Sequence, residues 1–481
     1  MVVKKPKVSW FNILYIGFML ILMAMLLVQI IKVLTPSASP LQQGSGSSEE
    51  QGNPLAIPAL LEDINPDPLA AEFELNVQTG QVEFFPGLMT DTLGYNGNLL
   101  GPVLRVRRGQ EVQIKVNNLM PDPTTAHWHG MDVDGENDGG PHQGIMPGET
   151  WTARFTVNQP AATLWYHPHF HHTTGAQVYH GLAGLIYIED DASDQLKIPS
   201  EYGVNDIPLI IQDRNFNSDG SFNHEITMMG LKPGEVLLVN GTIDPYVNVE
   251  RELIRLRVLN GSNYENFNLQ MSDGSVFYQI ASDGGFLEAP VMRDSLFLSP
   301  GERAEVLVDF SAATRDTVAM MNGRQTVVVF RLSGDETGAG HIPASLVEVP
   351  QIPVGENPPT RYFDLESMGL HGTINGKAFD MNRIDEEVPL NETELWVIRN
   401  LDRNAHTPGH PFHVHGTQFQ VVSRNGNPPP PEERGFKDTI FVANGEEVVI
   451  KVLFHQPGVF MYHCHMLEHE EHGMMGQFLV Q

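Results

Sequence analysis

The chain contains a single cysteine, Cys464, so no disulfide can form within it. Positive charge is also scarce: 29 Lys and Arg stand against 59 Asp and Glu, giving a formal net charge of −30 at pH 7. A surface of that sign repels phosphates, and we therefore expect no nucleic acid partner. Segments with helical spacing are few, whereas 45 Gly and 34 Pro supply many turns. The 481 residues, 41% of them hydrophobic, can still build substantial cores, and the length indicates about three domains.

One long apolar run lies near the N-terminus, between Trp10 and Ile31, and three lysines precede it. A helix that crosses a bilayer needs about 20 such residues. The positive-inside rule places the lysines in the cytoplasm and the rest of the chain outside. We expect residues 1–34 to form a cytoplasmic stub and a membrane anchor, and residues 35–56 a flexible linker. The predicted location is the cell membrane, with the folded domains on the extracytoplasmic side, or secretion if the anchor is cleaved.

The rest of the chain is typical of short β-strands, with hydrophobic and polar residues alternating as in VQIKV at 112–116. Two motifs occur three times each. PGE or NGE begins at residues 147, 300 and 444 and leads into TWTARFTV, RAEVLVDF and EVVIKVLF. The strands VQIKVNNL, IRLRVLNG and ELWVIRNL begin at residues 112, 254 and 394. Their shared period predicts three all-β domains, over residues 57–195, 205–348 and 360–481.

Histidine is abundant, and nine of the 20 histidines lie in four clusters. The clusters are HWHG at 127–130, HPH at 167–169, HPFHVHG at 410–416 and HCH at 463–465. On a strand, residues i and i+2 point to the same side, so each His-x-His pair aims two neutral imidazoles at one place. Four such pairs supply eight imidazoles, twice the number that a single zinc site takes. The pattern predicts a polynuclear metal site.

The cysteine predicts a second kind of site. If the two histidines of HCH face one way, Cys464 faces the other and would meet His410, His469 and Met474. Two His, one Cys thiolate and a Met are the ligand set of a blue-copper electron-transfer centre. A lone cysteine could instead be a free thiol or an intermolecular link, but its place between two histidines favours a metal ligand.

These motifs, in this order, resemble those of the multicopper oxidases, most closely the bacterial three-domain enzymes of the laccase and cuprous-oxidase type. The resemblance runs from about residue 70 to Gln481 and includes WYHPHFHHTTGAQ, HPFHVHGTQFQVVSRNG, GFKDTI and HCHMLEHEEHGMM. It implies an all-β fold of three cupredoxin-like domains, each a Greek-key β-sandwich or barrel. The metal ligands would come from the first and third domains, and the second would be a spacer without copper.

The resemblance also implies four copper ions and a ligand set for each. The type 1 copper would bind His410, Cys464 and His469, with Met474 as the weak axial ligand. The type 2 copper would bind His127 and His413. The two type 3 coppers would bind His129, His167, His169, His415, His463 and His465. Asp138 and Glu470 match the carboxylates that supply protons in the family, and we take them as catalytic residues.

The implied activity couples the one-electron oxidation of four donor equivalents to the reduction of O2 to water. Cuprous oxidases often carry a Met-rich segment before the third cluster, whereas residues 355–410 contain only Met368 and Met381. We therefore expect a solvent-facing type 1 edge that suits laccase-like donors, namely phenols or aromatic amines, with Asp402 as a candidate acid beside it. One alternative is a metallo-oxidase for Cu(I), Fe(II) or Mn(II), cations that the acidic surface would attract. The other is a copper-free envelope scaffold, which is disfavoured because such proteins lose ligands and this chain has all twelve.

Overall fold

The structure is a computed structural model that describes residues 52–228, 230–335, 340–403 and 409–481. The predicted membrane anchor and most of the predicted linker lie outside these residues. Within the described ranges, no helix is both long enough and apolar enough to cross a membrane. The end of the predicted linker is already part of the fold, because Asn53–Pro54 forms a short strand parallel to residues 245–246.

The N-terminal sandwich consists of two four-stranded sheets. In spatial order, the strands of one sheet are Leu88–Tyr95, Ala70–Phe85, Glu111–Asn118 and Thr150–Thr156. The strands of the other are Leu104–Arg107, Gly184–Glu189, Ala162–His167 and His127–His129. The apolar faces of both sheets meet in one core that contains Phe73, Val116, Tyr166 and Ile186. A short helix, Thr174–Tyr179, and a 3-10 turn, Ser193–Gln195, complete this sandwich.

The middle sandwich has a six-stranded and a seven-stranded sheet. The first contains Asn53–Pro54, Pro245–Glu250, Gln325–Ser333, Thr317–Asn322, Phe267–Met271 and Leu296–Leu298. The second contains Thr242–Ile243, Val236–Val239, Asp206–Arg214, Leu253–Asn260, Arg303–Asp309, Phe277–Ser282 and Gly285–Arg293. A small hairpin, Ile226–Thr227 with Gly230–Leu231, projects from it.

The C-terminal sandwich has two five-stranded sheets. One contains His371–Ile374, Thr360–Met368, Thr393–Asn400, Glu447–Leu453 and Gln420–Arg424. The other contains Glu386–Val388, Met475–Val480, Gly458–Cys464, His410–Val414 and Thr439–Val442. A 3-10 turn, Pro431–Glu433, and a short helix, Leu467–Glu471, lie between strands.

The two recurring motifs form the same three-stranded unit in every sandwich. The strand that carries the second motif pairs antiparallel with the strand that follows PGE or NGE. On its other side it pairs in parallel with an earlier strand of its own sandwich. This shared arrangement confirms the predicted all-β sandwich fold.

Strand register decides which way the histidines of the C-terminal sandwich point. The strand of HPFHVHG pairs antiparallel with the strand of HCH, which sets His413 opposite His463 and Phe412 opposite Cys464. Because successive side chains alternate between the two faces of a sheet, the two histidines share one face and Phe412 shares the other with Cys464. A single pair of strands therefore separates two kinds of ligand.

Phe412 is fully buried and packs against the rings of Phe363 and Tyr462. Phe412→Ala should lower the free energy of unfolding by about 3–5 kcal/mol, because it leaves a cavity in the core. Denaturant unfolding of the copper-free protein measures this loss. Val422→Ala, at a position 40% exposed in the same sandwich, is the control and should change stability by less than about 1 kcal/mol. Equal effects of the two changes would contradict the core position of Phe412.

Candidate metal centre

Side chains with metal-binding atoms form two buried clusters in the described part of the chain. The first, which we name the cysteine centre, consists of His410, Cys464 and His469 with the neighbouring Met474. The second, which we name the histidine chamber, consists of the eight remaining predicted histidine ligands. The cysteine centre lies inside the C-terminal sandwich, whereas the chamber takes residues from both the N-terminal and the C-terminal sandwich.

In the cysteine centre, the Cys464 Sγ lies 3.4 Å from His410 Nδ1 and 3.9 Å from His469 Nδ1. Burial raises the pKa of the Cys464 thiol, so a thiolate forms here only with a compensating cation. The backbone holds Met474 close by, since its N–H donates to the His469 carbonyl at 2.8 Å and its carbonyl accepts from the Cys464 N–H at 3.0 Å. This arrangement brings together the two His, the Cys and the Met that the sequence grouped.

Asp402 orients one imidazole of this centre. Its Oδ2 lies 3.0 Å from His410 Nε2, so His410 donates from Nε2 and directs the lone pair of Nδ1 toward the cysteine. Burial alone would raise the pKa of Asp402, but hydrogen bonds from His410 and Ser367 outweigh it and lower the pKa to about 2. The candidate acid is therefore an ionised carboxylate beside the cysteine centre.

The prediction of a solvent-facing edge at the cysteine centre is wrong. His410 and His469 both expose 0% of their surface. A short hairpin with its turn at residues 369–370 packs over the centre, and a Cβ at Gly372 would lie only 2.6 Å from the Cβ of Met474. The lack of a Met-rich segment does not leave the centre open, because tertiary packing places this hairpin over it.

The histidine chamber is formed where strands of two sandwiches meet. In the N-terminal sandwich, the strand of HWHG pairs antiparallel with the strand that ends at HPH, so that His127 stands opposite His167. The donor atoms of His129, His167 and His465 lie within 4.8 Å of one another, and so do those of His169, His415 and His463. The remaining pair, His127 and His413, forms a further group with His129. All eight imidazoles are at most 1% exposed.

The protonation of the chamber fits bound cations. Burial, followed by neighbouring charges, lowers the pKa of six of the eight histidines well below the usual value. The same causes lower the pKa of His465 to about 3. These imidazoles are therefore neutral at pH 7, which is the form that binds metals.

Unpartnered nitrogens point to the same conclusion. The Nε2 of His463 lies 3.2 Å from His169 Nε2 and 3.1 Å from His415 Nε2, so three ring nitrogens converge on one point. The Nε2 atoms of His127 and His413 are buried and have no hydrogen-bond partner among the described residues. Buried polar atoms without partners are costly, and metal ions at these positions would satisfy them. The residues present thus fit copper.

Both predicted catalytic carboxylates border the chamber. Asp138 Oδ2 accepts from His415 Nδ1 at 2.8 Å, and the backbone carbonyl of Asp138 lies 2.9 Å from His127 Nδ1. Since the Nδ1 atoms face Asp138, the Nε2 atoms are left to face the interior. Asp138 is 2% exposed, and its Oδ1 has no hydrogen-bond partner among the described residues.

Glu470 lies on the other side of the chamber. Its Oε1 is 3.4 Å from His169 Nδ1 and its Oε2 is 3.2 Å from His463 Nδ1. Burial, and then the charges of Glu471 and Glu468, raise the pKa of Glu470 well above its usual value. This shift favours the protonated form of Glu470, whose carboxyl group lies within reach of two chamber histidines.

The structure brings the twelve predicted ligands together in the cysteine centre and the histidine chamber, and their roles as copper ligands stay predictions. Asp438, which the sequence did not single out, has a carboxylate 2.9 Å from His129 Nε2. Arg303, likewise not singled out, forms an ion pair with Asp438. Asp438 belongs to GFKDTI, one of the motifs that carry the family resemblance. The sequence therefore pointed to this segment, but no role was predicted for its aspartate.

Three β-sandwiches with a buried His2Cys centre and a separate chamber of eight imidazoles define a class of protein, the cupredoxin-type metalloproteins with more than one metal site. Comparisons with known proteins identify the family within this class. Three family models described as "Multicopper oxidase" match residues 76–193, 186–334 and 349–481. The chain belongs to the multicopper oxidase family.

Individual relatives agree with this assignment. The multicopper oxidase mco of Staphylococcus epidermidis is 41% identical over 434 residues, which cover 90% of this chain and 94% of that protein. The cell division protein FtsP of Escherichia coli is 36% identical over 456 residues, with 90% of this chain and 94% of that protein covered. The structure of a laccase from Pediococcus acidilactici has a TM-score of 0.87 and 37% identity, over 93% of this chain and 97% of that one.

Cys464→Ser should abolish the blue absorption of the copper-loaded protein, because a serine hydroxyl does not replace a soft thiolate ligand. The chamber should keep its copper, since the cysteine points away from it. Visible absorption and the copper-to-protein ratio measure both effects. Met466→Leu, a change of similar volume next to the centre, is the control and should keep the colour. A Cys464→Ser protein that stays blue, or that loses all its copper, would contradict the separation of the two sites.

Proposed function

We propose that the protein is a copper-dependent oxidase that takes single electrons from a small donor and reduces O2 to water. The observation that carries the proposal is the HCH segment, in which Cys464 belongs to one metal centre and its two neighbours, His463 and His465, to the other. The backbone between them is the short covalent link that electron transfer between two such centres requires. Four copper ions would supply the one-electron redox chemistry and the binding of O2.

The ligand sets proposed for these ions follow the groups in the structure. The cysteine centre would hold the type 1 copper through His410, Cys464 and His469, and the thioether of Met474 would be a further ligand. The two histidine triplets would hold the type 3 pair, and His127 with His413 the type 2 ion. Asp138 and Glu470 would supply protons from opposite sides of the chamber, where bulk water does not reach the buried imidazoles.

For the donor we propose phenols or aromatic amines. The similarity to a laccase structure over 93% of the chain supports this choice. One observation favours Cu(I) as a second candidate. Met228 and Met368 are 89% and 83% exposed, and the Met228 carbonyl accepts from the N–H of Leu370, in the turn that packs over the cysteine centre. Thioethers are soft ligands that suit Cu(I).

We further propose that residues 1–34 anchor the enzyme in the cell membrane with its sandwiches on the extracytoplasmic side. The apolar run and the lysines before it support this. A scaffold role without copper is the alternative that the similarity to a cell division protein raises. The twelve metal-binding side chains, all retained and all brought into buried groups, argue against it.

Copper-loaded full-length protein should consume O2 with a dimethoxyphenol as donor, and more slowly with Cu(I) supplied in parallel. An oxygen electrode measures both rates. Faster O2 uptake with Cu(I) than with the phenol would identify the protein as a metallo-oxidase. Copper-loaded protein that consumes O2 with neither donor would refute the oxidase proposal and leave the scaffold.

Asp138→Asn should slow O2 uptake by about 100-fold, the usual size of a proton-transfer contribution, because an amide supplies no proton at this position. The blue absorption should not change, since Asp138 does not touch the cysteine centre. Turnover and visible spectra of the same sample test the two parts. Asp91→Asn, at an exposed carboxylate of the same sandwich, is the control. Unchanged turnover of Asp138→Asn would remove the proposed proton role.

A further inference from the structure

Arg303 connects all three sandwiches, although it belongs to the middle one, which contributes no metal-binding residue to either cluster. The side chain is 1% exposed. Its Nη1 and Nη2 donate to the two carboxylate oxygens of Asp438 in the C-terminal sandwich, at 2.7 and 2.6 Å. Its Nε donates to the carbonyl of Thr163 in the N-terminal sandwich at 3.1 Å. A guanidinium can make such a bidentate contact, whereas an ammonium cannot.

Asp438 is saturated with donors. Besides the two from Arg303, its Oδ1 accepts from His129 Nε2 at 2.9 Å and from Thr439 Oγ1 at 2.9 Å. Its Oδ2 accepts from Gln418 Nε2 at 2.8 Å. A carboxylate paired with an arginine in this way has only acceptors to offer. The contact with His129 therefore requires the imidazole to be the donor.

This requirement fixes the tautomer of His129. The form of a histidine ring that binds a metal is neutral and carries one N–H. With that hydrogen on Nε2, facing Asp438, the lone pair is on Nδ1. Nδ1 lies on the chamber side, 3.4 Å from His167 Nε2.

We propose that Arg303 is a positioning residue for O2 reduction: through Asp438 it fixes His129 as the Nε2–H tautomer, so that Nδ1 faces the chamber. The inference rests on the proposed function only in that the chamber holds copper. The middle sandwich, predicted as a spacer, thereby takes part in the metal site. It acts on a ligand of the N-terminal sandwich through a carboxylate of the C-terminal one.

The glycines next to this network leave room for it. Gly130, directly after His129, has φ +91°, and a Cβ there would lie 2.5 Å from Asp438 Oδ2 and 3.0 Å from Arg303 Nη2. Gly301 has φ +84°, and a Cβ there would lie 3.0 Å from the ring of His465. Gly130 of the HWHG motif and Gly301 of the PGE motif thus both lie beside the contacts of Arg303, Asp438 and His465. A side chain at either position would push these residues apart.

Arg257 provides a matched control. It is 4% exposed, lies in the same sheet of the middle sandwich as Arg303, and makes a bidentate contact of its own, to Asp206 at 2.8 and 2.7 Å. Among its described contacts, none is to Asp438 or to a chamber histidine. Arg257→Gln therefore removes a buried ion pair of the same kind without touching the chamber.

The first experiment uses copper-free full-length protein labelled with 15N-histidine, in which NMR distinguishes the two ring tautomers and His129→Gln assigns the signal of His129. The wild type should show the Nε2–H tautomer. Arg303→Gln should turn this signal into that of a tautomer mixture, and Arg257→Gln should leave it unchanged. An Arg303→Gln protein that keeps the pure Nε2–H tautomer would overturn the inference.

The second measurement is copper retention against a chelator. Arg303→Gln should lose chamber copper about 10- to 100-fold more readily, the usual cost of removing an outer partner of a metal ligand, and should keep its blue absorption. The same loss in Arg257→Gln would show an effect of stability alone and overturn the inference.

A third variant keeps the inference testable if Arg303→Gln does not fold. Asp438→Asn has the same size as the original side chain, and its amide can donate to His129 Nε2, so it should favour the opposite tautomer. A wild type that binds no copper would defeat the proposed function, whereas the tautomer is read in copper-free protein and is decided independently.

Discussion

Eight imidazoles buried in one chamber do not all find hydrogen-bond partners, and the rest of the structure depends on how this constraint is met. His169 Nδ1 and both ring nitrogens of His465 have no hydrogen-bond partner among the described residues. The other six rings each bond one nitrogen outward, to Asp138, to Asp438 or to a backbone carbonyl, as in the 2.8 Å contact of His415 with Asp138. Their inner nitrogens are left facing one another, 3.1 Å apart between His415 and His463. Burial keeps seven of these rings uncharged, so a metal would relieve the repulsion of their lone pairs.

Strand geometry explains why so much of this site could be predicted from the sequence. Alternation along a strand is a local property, and it sends Cys464 to one metal centre and its two neighbours to the other without reference to the fold. The repeat of two motifs likewise predicts three sandwiches. Asp438 and Arg303 are 135 residues apart and belong to different sandwiches, and no period or motif relates them. The hairpin with its turn at residues 369–370 could not be predicted to cover the cysteine centre either, because only tertiary packing brings the hairpin to that place.

The middle sandwich shows how a domain without ligands can shape a metal site. Its strand Arg303–Asp309 repeats the strand that follows the same turn motif in the other two sandwiches. The first residue of that strand points into the junction and meets a carboxylate that the chamber also uses. The repeat therefore supplies the scaffold, and a single position in one copy, Arg303, supplies the contact with Asp438. Removal of the middle sandwich would remove the arginine that holds Asp438, the hydrogen-bond partner of His129, as well as a spacer.

Because the cysteine centre is buried, a donor would contact the residues that cover the centre and not the predicted ligands themselves. With His410 and His469 fully covered, a donor would meet the hairpin and the exposed side chains of Met228 and Met368, which are not among the predicted ligands. Overall sequence identity is a poor guide to function here. An oxidase that is 41% identical and a cell division protein that is 36% identical each match 90% of the chain. What separates the possible functions is local, namely whether the predicted ligand side chains are present and grouped, and in this chain they form the cysteine centre and the histidine chamber.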